Sequence, residues 1–131
     1  MIEEIEKSFI EKYILKDKQD RLIFELSGKK RQTGIGRFCH NTETIIQSDR
    51  IVSCGNKLFF NEILTVAKQY NVSGLCYIIA YNEDLDRKTC TLNNALNLVL
   101  GNGMPAIIIC DDFIIIETEQ CFGTPMRYIL H

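Results

Sequence analysis

The sequence has no tryptophan, two prolines, two histidines and no C-x-x-C pair. It also has no apolar run of membrane-spanning length. Each absence removes a class of protein. A transmembrane helix needs about 18 or more consecutive apolar residues, so none is expected. The opening Met1-Ile2-Glu3-Glu4-Ile5-Glu6-Lys7 is acidic and broken by charge. That differs from the basic and then apolar start of a secretory signal, and a cytoplasmic location is expected. Pro105 and Pro125 fall at element boundaries, and no linker, repeat or low-complexity tract divides the chain. A single soluble domain over residues 1–131 follows, a length that suits one hydrophobic core.

The chemistry-bearing motifs are equally sparse. Ser27 to Arg37 is a basic, glycine-bearing segment read as a solvated hairpin loop, and Ile35 after Gly34 breaks the lysine and hydroxyl pattern of a phosphate-binding loop. An isoelectric point near 5.7 argues against broad nucleic-acid binding. His40 is the one histidine besides His131 and the only ready general base, with Arg37 and Glu43 near it in sequence. No G-x-S-x-G or similar signature supplies a nucleophile for it. The six cysteines, Cys39, Cys54, Cys76, Cys90, Cys110 and Cys121, lie 11 to 22 residues apart. In a chain with a strong core and no export signal they are expected to be reduced, small core residues rather than disulfides. Cys39 and His40 would point to opposite sides of a strand, so neither a metal site nor any cofactor is expected.

What is present is apolar patterning, with 46% apolar residues. Met104 to Gln120 contains two unbroken apolar runs hinged on Asp111-Asp112. A half-exposed strand would alternate, so this reads as a β-hairpin buried on both faces. Residues 2 to 16 carry Ile2, Ile5, Phe9, Ile10, Tyr13 and Ile14 at helical spacing. Asp20 to Ser27 alternates and is predicted to be a strand, as is Gly34 to His40, with extended pieces from Thr44 to Ser53. A second helix is predicted over Leu58 to Tyr70, and a strand over Leu75 to Tyr81. Thr91 caps a third helix that Gly101 stops, and Met126 to Leu130 supplies a last strand. The expected class is α+β, a mostly antiparallel sheet of about five to seven strands packed with three helices.

Charge divides the chain. Residues 1–80 hold twelve Lys or Arg against ten Asp or Glu, whereas 81–131 hold three against seven. The acidic positions are Glu83, Asp84 and Asp86, then Asp111 and Asp112, with Glu117 and Glu119 beyond. Such carboxylates serve acid–base chemistry, cation binding or recognition of a basic partner, and are otherwise solvated turn residues.

Taken together, Arg37-Phe38-Cys39-His40, Cys76-Tyr77-Ile78-Ile79, Gly101-Asn102-Gly103-Met104-Pro105 and Arg127-Tyr128-Ile129-Leu130, in a small acidic α+β chain, resemble immunity proteins of bacterial contact-dependent growth-inhibition and related polymorphic-toxin systems. The resemblance implies a non-enzymatic inhibitor that binds one cognate toxin domain, often a nuclease, and blocks its active site or substrate surface. On that reading the seven carboxylates bind a basic toxin, and neither nucleic acid nor membrane is a partner. The rival readings are a small nuclease or hydrolase using His40 with carboxylates such as Asp111 and Asp112, and a subunit that dimerises through an open sheet edge or an uncovered sheet face.

Overall fold

The hairpin forms as its apolar runs dictate. In the computed structural model, which describes residues 2–119 and 123–131, β4 (Ala106–Cys110) pairs antiparallel with β5 (Phe113–Glu117). Ile107 faces Ile116, Ile108 faces Ile115 and Ile109 faces Ile114 across the ladder. Asp111 takes the left-handed conformation of the two-residue turn (φ 53°), which Asp tolerates better than most residues. Every residue of both strands is buried.

Around this hairpin the described residues form one six-stranded antiparallel sheet in the order β1-β6-β5-β4-β2-β3. The other strands are β1 (Ile51–Gly55), β2 (Leu75–Ala80), β3 (Thr89–Thr91) and β6 (Arg127–Leu130). Among the described residues six α-helices cover the sheet: α1 (Glu4–Tyr13), α2 (Lys16–Leu26), α3 (Arg31–His40), α4 (Thr42–Ile45), α5 (Phe60–Gln69) and α6 (Leu92–Val99). One apolar cluster joins α1 to α4 to Ile79, Ile107, Ile109, Ile114, Ile116, Tyr128 and Leu130. The other joins α5 and α6 to Cys76, Ile78, Ile108, Cys110, Phe113, Ile115 and Ile129. Odd and even strand positions thus meet separate helical layers, which is why the central strands carry no polar alternation. None of the helices described is long and apolar enough to cross a membrane.

The α+β class and the sheet are as expected, but the described residues form six α-helices rather than three, because two predicted strands are helical and the short α4 (Thr42–Ile45) forms where extended chain was expected. Asp20 to Ser27 lies mostly in α2. Leu22 and Leu26 are both buried, and a spacing of four residues fits a strand as well as a helix. Phe24 decides between them: a strand would bury it with Leu22 and Leu26, yet it is 66% exposed. Gly34 to His40 lies in α3, with Ile35, Phe38 and Cys39 buried at helical spacing. The basic segment is therefore not a hairpin loop. Only residues 27–30 turn, and Gly34 sits where α3 crosses α2 so closely that a Cβ would lie 2.6 Å from Glu25 Cβ. Between Thr44 and Ser53, α4 and a 3-10 turn (Ser48–Arg50) precede the extended β1. The helix from Leu58 to Tyr70 appears as α5, and the Asn94 N–H donates to the Thr91 hydroxyl at the start of α6 (3.3 Å). Beyond the end of α6, Gly101 is left-handed (φ 78°).

Candidate functional site

The seven acidic candidates do not form one surface. β4 runs from Ala106, which pairs with Ala80 and Glu117, to Cys110, which pairs with Phe113. Residues 81–88, Glu117 and Glu119 consequently sit at one end of the sheet, and Asp111 and Asp112 at the other, separated by the length of β4, roughly 14 Å.

Two of the seven are not solvated turn residues at all. Arg31, at the start of α3, is buried and spends all five of its N–H donors. Nη1 donates to Glu6 Oε1 (2.8 Å) and to the Leu26 carbonyl (2.9 Å), and Nη2 donates to Glu6 Oε2 (2.6 Å). Nε donates to Asp86 Oδ2 (2.6 Å), and Nη2 to Asp86 Oδ1 (2.9 Å). The Tyr77 hydroxyl donates to Glu6 Oε2 (2.7 Å), and the Ala80 N–H to Asp86 Oδ1 (3.0 Å). Burial pulls the Arg31 guanidinium toward losing its proton, but hydrogen bonds to Glu6 and Asp86 more than reverse this and leave it firmly charged. Burial, helped by the Glu6 hydrogen bond, holds the Tyr77 phenol above its ordinary range. Asp86 is thus an internal anchor for the loop rather than a surface charge.

Glu117 is the second exception, at 1% exposure. Arg127 Nε donates to its Oε1 (2.5 Å) and the Gly101 N–H to its Oε2 (3.1 Å), while Arg127 Nη1 reaches the Leu58 carbonyl (2.8 Å). Burial raises the Glu117 carboxyl above its ordinary range despite this pairing. Sequence reasoning missed Glu6, Arg31 and Arg127, although Glu6 falls in phase with Phe9, Ile10 and Tyr13 on the buried stripe of α1.

Asp111 and Asp112 border a groove of about 590 Å³ beside Ser8, Lys12, Tyr13 and Leu75. Asp112 pairs with Lys12, whose hydrogen bond keeps its carboxyl below the usual range. The Tyr13 hydroxyl donates to the Asp112 carbonyl (2.9 Å) and the Arg50 guanidinium lies 5.4 Å from the Tyr13 ring centre. Burial, with the Asp112 charge adding to it, pushes the Tyr13 phenol up to about 12.

Glu83 and Asp84 remain exposed, on a loop whose backbone is tightly specified. The Asp84 N–H donates to Asn82 Oδ1 (2.9 Å), the Leu85 and Asp86 N–H groups donate to the Asn82 carbonyl (both 3.1 Å), and the Arg87 N–H donates to the Ile78 carbonyl (2.7 Å). Around this tip, Gln32, Tyr81, Asn82, Glu83, Asp84 and Met104 line a shallow hollow of about 430 Å³. Tyr81 and Met104 are each 43% exposed.

Of Arg37, His40 and Glu43, close in sequence, the fold brings only His40 and Glu43 to one cavity. Arg37 turns to Glu25 on α2, with Nη2 at 2.5 Å from Oε1, and Glu43 accepts from the Tyr128 hydroxyl (2.8 Å). His40 is exposed and borders a cavity of about 280 Å³ with Glu43, Glu119 and Tyr128. Cys39 is buried, and burial, reinforced by the Glu117 charge, pushes its thiol up and away from the nucleophilic thiolate.

The cysteines depart from the expectation that all are reduced. Cys76 on β2 and Cys110 at the end of β4 form a disulfide, with Cα atoms 4.5 Å apart. The cause is register: Tyr77 pairs with Ile109, which brings residue 76 directly opposite residue 110. Cys39, Cys54 and Cys90 are free thiols, and Cys121 lies outside the described residues. Among the described residues no group of three His, Cys, Asp or Glu side chains is placed to hold a metal ion. Compared with protein-family models, with curated proteins and with solved structures, the chain matches none.

Proposed function

We propose that this chain is a non-enzymatic binding protein, an immunity protein that neutralises a cognate basic toxin, most simply a nuclease, through the sheet end carrying Glu83 and Asp84. The observation that carries the reading is the hollow in which exposed Tyr81 and Met104 lie beside these two carboxylates. Aromatic and methionine side chains supply contact area at protein interfaces, and acidic residues beside them steer a cationic partner and add charge-assisted hydrogen bonds. The Asp86 anchor and the Asn82 turn hold the tip in one conformation, which lowers the ordering cost of association. Asp111 and Asp112, at the opposite sheet end and engaged with Lys12 and Tyr13, are left out of this surface. The reading places the chain in the cytoplasm, where disulfides are characteristically transient, and so requires Cys76–Cys110 to be reversible.

The test is quantitative co-purification from the native host, comparing wild type with a Glu83→Lys/Asp84→Lys variant. A basic protein should be enriched on the wild type and lost from the variant. Expressed alone it should arrest growth, and co-expression of wild type, but not of the charge-reversed variant, should relieve the arrest. His40→Ala should protect as well as wild type. Enrichment indifferent to charge reversal, a partner with no toxicity, or loss of protection in His40→Ala overturns the reading.

A further inference from the structure

Three cysteines stand in a row across three adjacent strands. Cys90 on β3 pairs directly with Cys76 on β2, and Cys76 is bonded to Cys110 on β4. All three belong to the layer packed under α5 and α6, so their side chains share one face of the sheet. They differ in access: Cys76 and Cys110 are 1% and 2% exposed, whereas Cys90, on the edge strand, is only partly covered. A reagent in solution therefore meets Cys90 first.

The spacing also limits which bonds can form. Directly opposed residues on neighbouring antiparallel strands have Cα atoms about 4.5–5.5 Å apart, inside the range a disulfide accepts. Cys90 and Cys110 are two strand spacings apart, roughly 10 Å, beyond that range. Cys76 can bond to either neighbour, but the outer two cannot bond to each other. With one neighbour on each side, an incoming thiolate and a departing one lie on opposite sides of the Cys76 sulfur, as sulfur displacement requires.

Independently of the toxin reading, we propose that Cys90, Cys76 and Cys110 form a thiol–disulfide exchange relay in which Cys90 is the port for low-molecular-weight disulfides and thiols. Starting from the reduced row, the Cys90 thiolate attacks one sulfur of an external disulfide, forming a mixed disulfide and expelling a thiolate that takes up a proton. The Cys76 thiolate then attacks Cys90 Sγ, forming Cys76–Cys90 and releasing the second external thiol. Finally the Cys110 thiolate attacks Cys76 Sγ, forming Cys76–Cys110 and returning Cys90 as a thiolate. One external disulfide is reduced to two thiols, and Cys76 and Cys110 together lose two electrons and two protons. A small thiol runs the same steps backward, so a pair shielded from solvent stays in exchange with the surroundings.

The test uses the full chain, reduced under native conditions and freed of reductant, with oxidised glutathione as the probe. Acid quenching, alkylation and peptide mass mapping then follow each linkage. Wild type should close Cys76–Cys110 at least about tenfold faster than Cys90→Ser, whose buried pair has lost its port. Cys54→Ser, on the far edge strand, should close it at the wild-type rate. Cys110→Ser should accumulate a Cys76–Cys90 disulfide, and Cys76→Ser a glutathione adduct on Cys90. The relay is overturned if Cys90→Ser closes the buried pair as fast as wild type. It is equally overturned if folded Cys110→Ser, checked by circular dichroism, carries glutathione at Cys90 without forming Cys76–Cys90, or if Cys90 bonds directly to Cys110.

Discussion

Replacing Arg31 by methionine should be among the most damaging single changes in this chain, even though the side chain lost is charged and the one gained is apolar. Arg31 neutralises two carboxylates whose side chains are 0% and 9% exposed. Glu6 Oε2 and Asp86 Oδ1 sit 2.6 and 2.9 Å from the same guanidinium nitrogen, so the two oxygens are at most about 5.5 Å apart. Without the cation between them, two like charges at that range repel by about 3 kcal/mol at an effective dielectric of ~20. Stripping one partner from a buried ion pair costs about 3–5 kcal/mol in general, which agrees with that figure. The loss should be pH-dependent. A buried carboxylate without its cation has a folded-state pKa above the unfolded one, so the folded variant gains stability on protonation and loses it as pH rises. Urea unfolding followed by far-UV circular dichroism at about pH 5 and pH 8 should show the larger loss at the higher pH. Glu6→Gln/Arg31→Met/Asp86→Asn should recover part of it. A cost below about 1 kcal/mol, or one that does not vary with pH, would refute the assignment of Arg31 as the neutralising centre.

Gly34→Ala should destabilise by about 1–3 kcal/mol although alanine is the better helix former, because the new methyl meets Glu25 Cβ at 2.6 Å and α2 and α3 must move apart. A rise in urea midpoint would refute the close crossing. For Glu117, burial raises the folded-state pKa, so the folded chain binds this proton more tightly than the unfolded chain, and the stability it contributes falls as pH rises through the folded-state value. The stability of wild type relative to Glu117→Gln should thus decline as pH rises above the ordinary glutamate value of about 4.3, and a flat or rising difference would refute a raised folded-state pKa.

The sheet was legible where burial on both faces leaves a continuous apolar signature, as in β2, β4 and β5. α1, α5 and α6 were legible because their apolar positions follow the helical period unambiguously. α2 was hidden because Leu22 and Leu26 satisfy both periods, and α3 because Gly34 and Gly36, which resemble loop residues, lie in a helix. β3 is three residues long with exposed threonines on either side of Cys90, too short to show a period. At the candidate site, the exposed Glu83 and Asp84 were anticipated, but the roles of Asp86 and Glu117 were not. Their partners Arg31 and Arg127 lie 55 and 10 residues away, and only folding brings the charges together. The Cys76–Cys110 bond was missed for a related reason: it depends on strand register, which the spacing of cysteines does not encode.

The place of β6 in the sheet has a consequence for how the chain is built. β6 lies between β1 and β5 and, among the described residues, is the only strand to which β1 pairs. During synthesis from the N-terminus, β1 emerges more than seventy residues before Arg127 and has no sheet neighbour until then. The layer of α1 to α4 likewise packs against Tyr128 and Leu130, so part of its floor is missing over the same interval. β2, β3, α6, β4 and β5 can meanwhile assemble from near neighbours in the chain. The edge of β5 then stays open with its backbone hydrogen-bonding groups unpaired, a template for another strand. The growing chain thus passes through a stage in which its most apolar hairpin is complete but uncapped, and arrival of a four-residue strand ends that exposure.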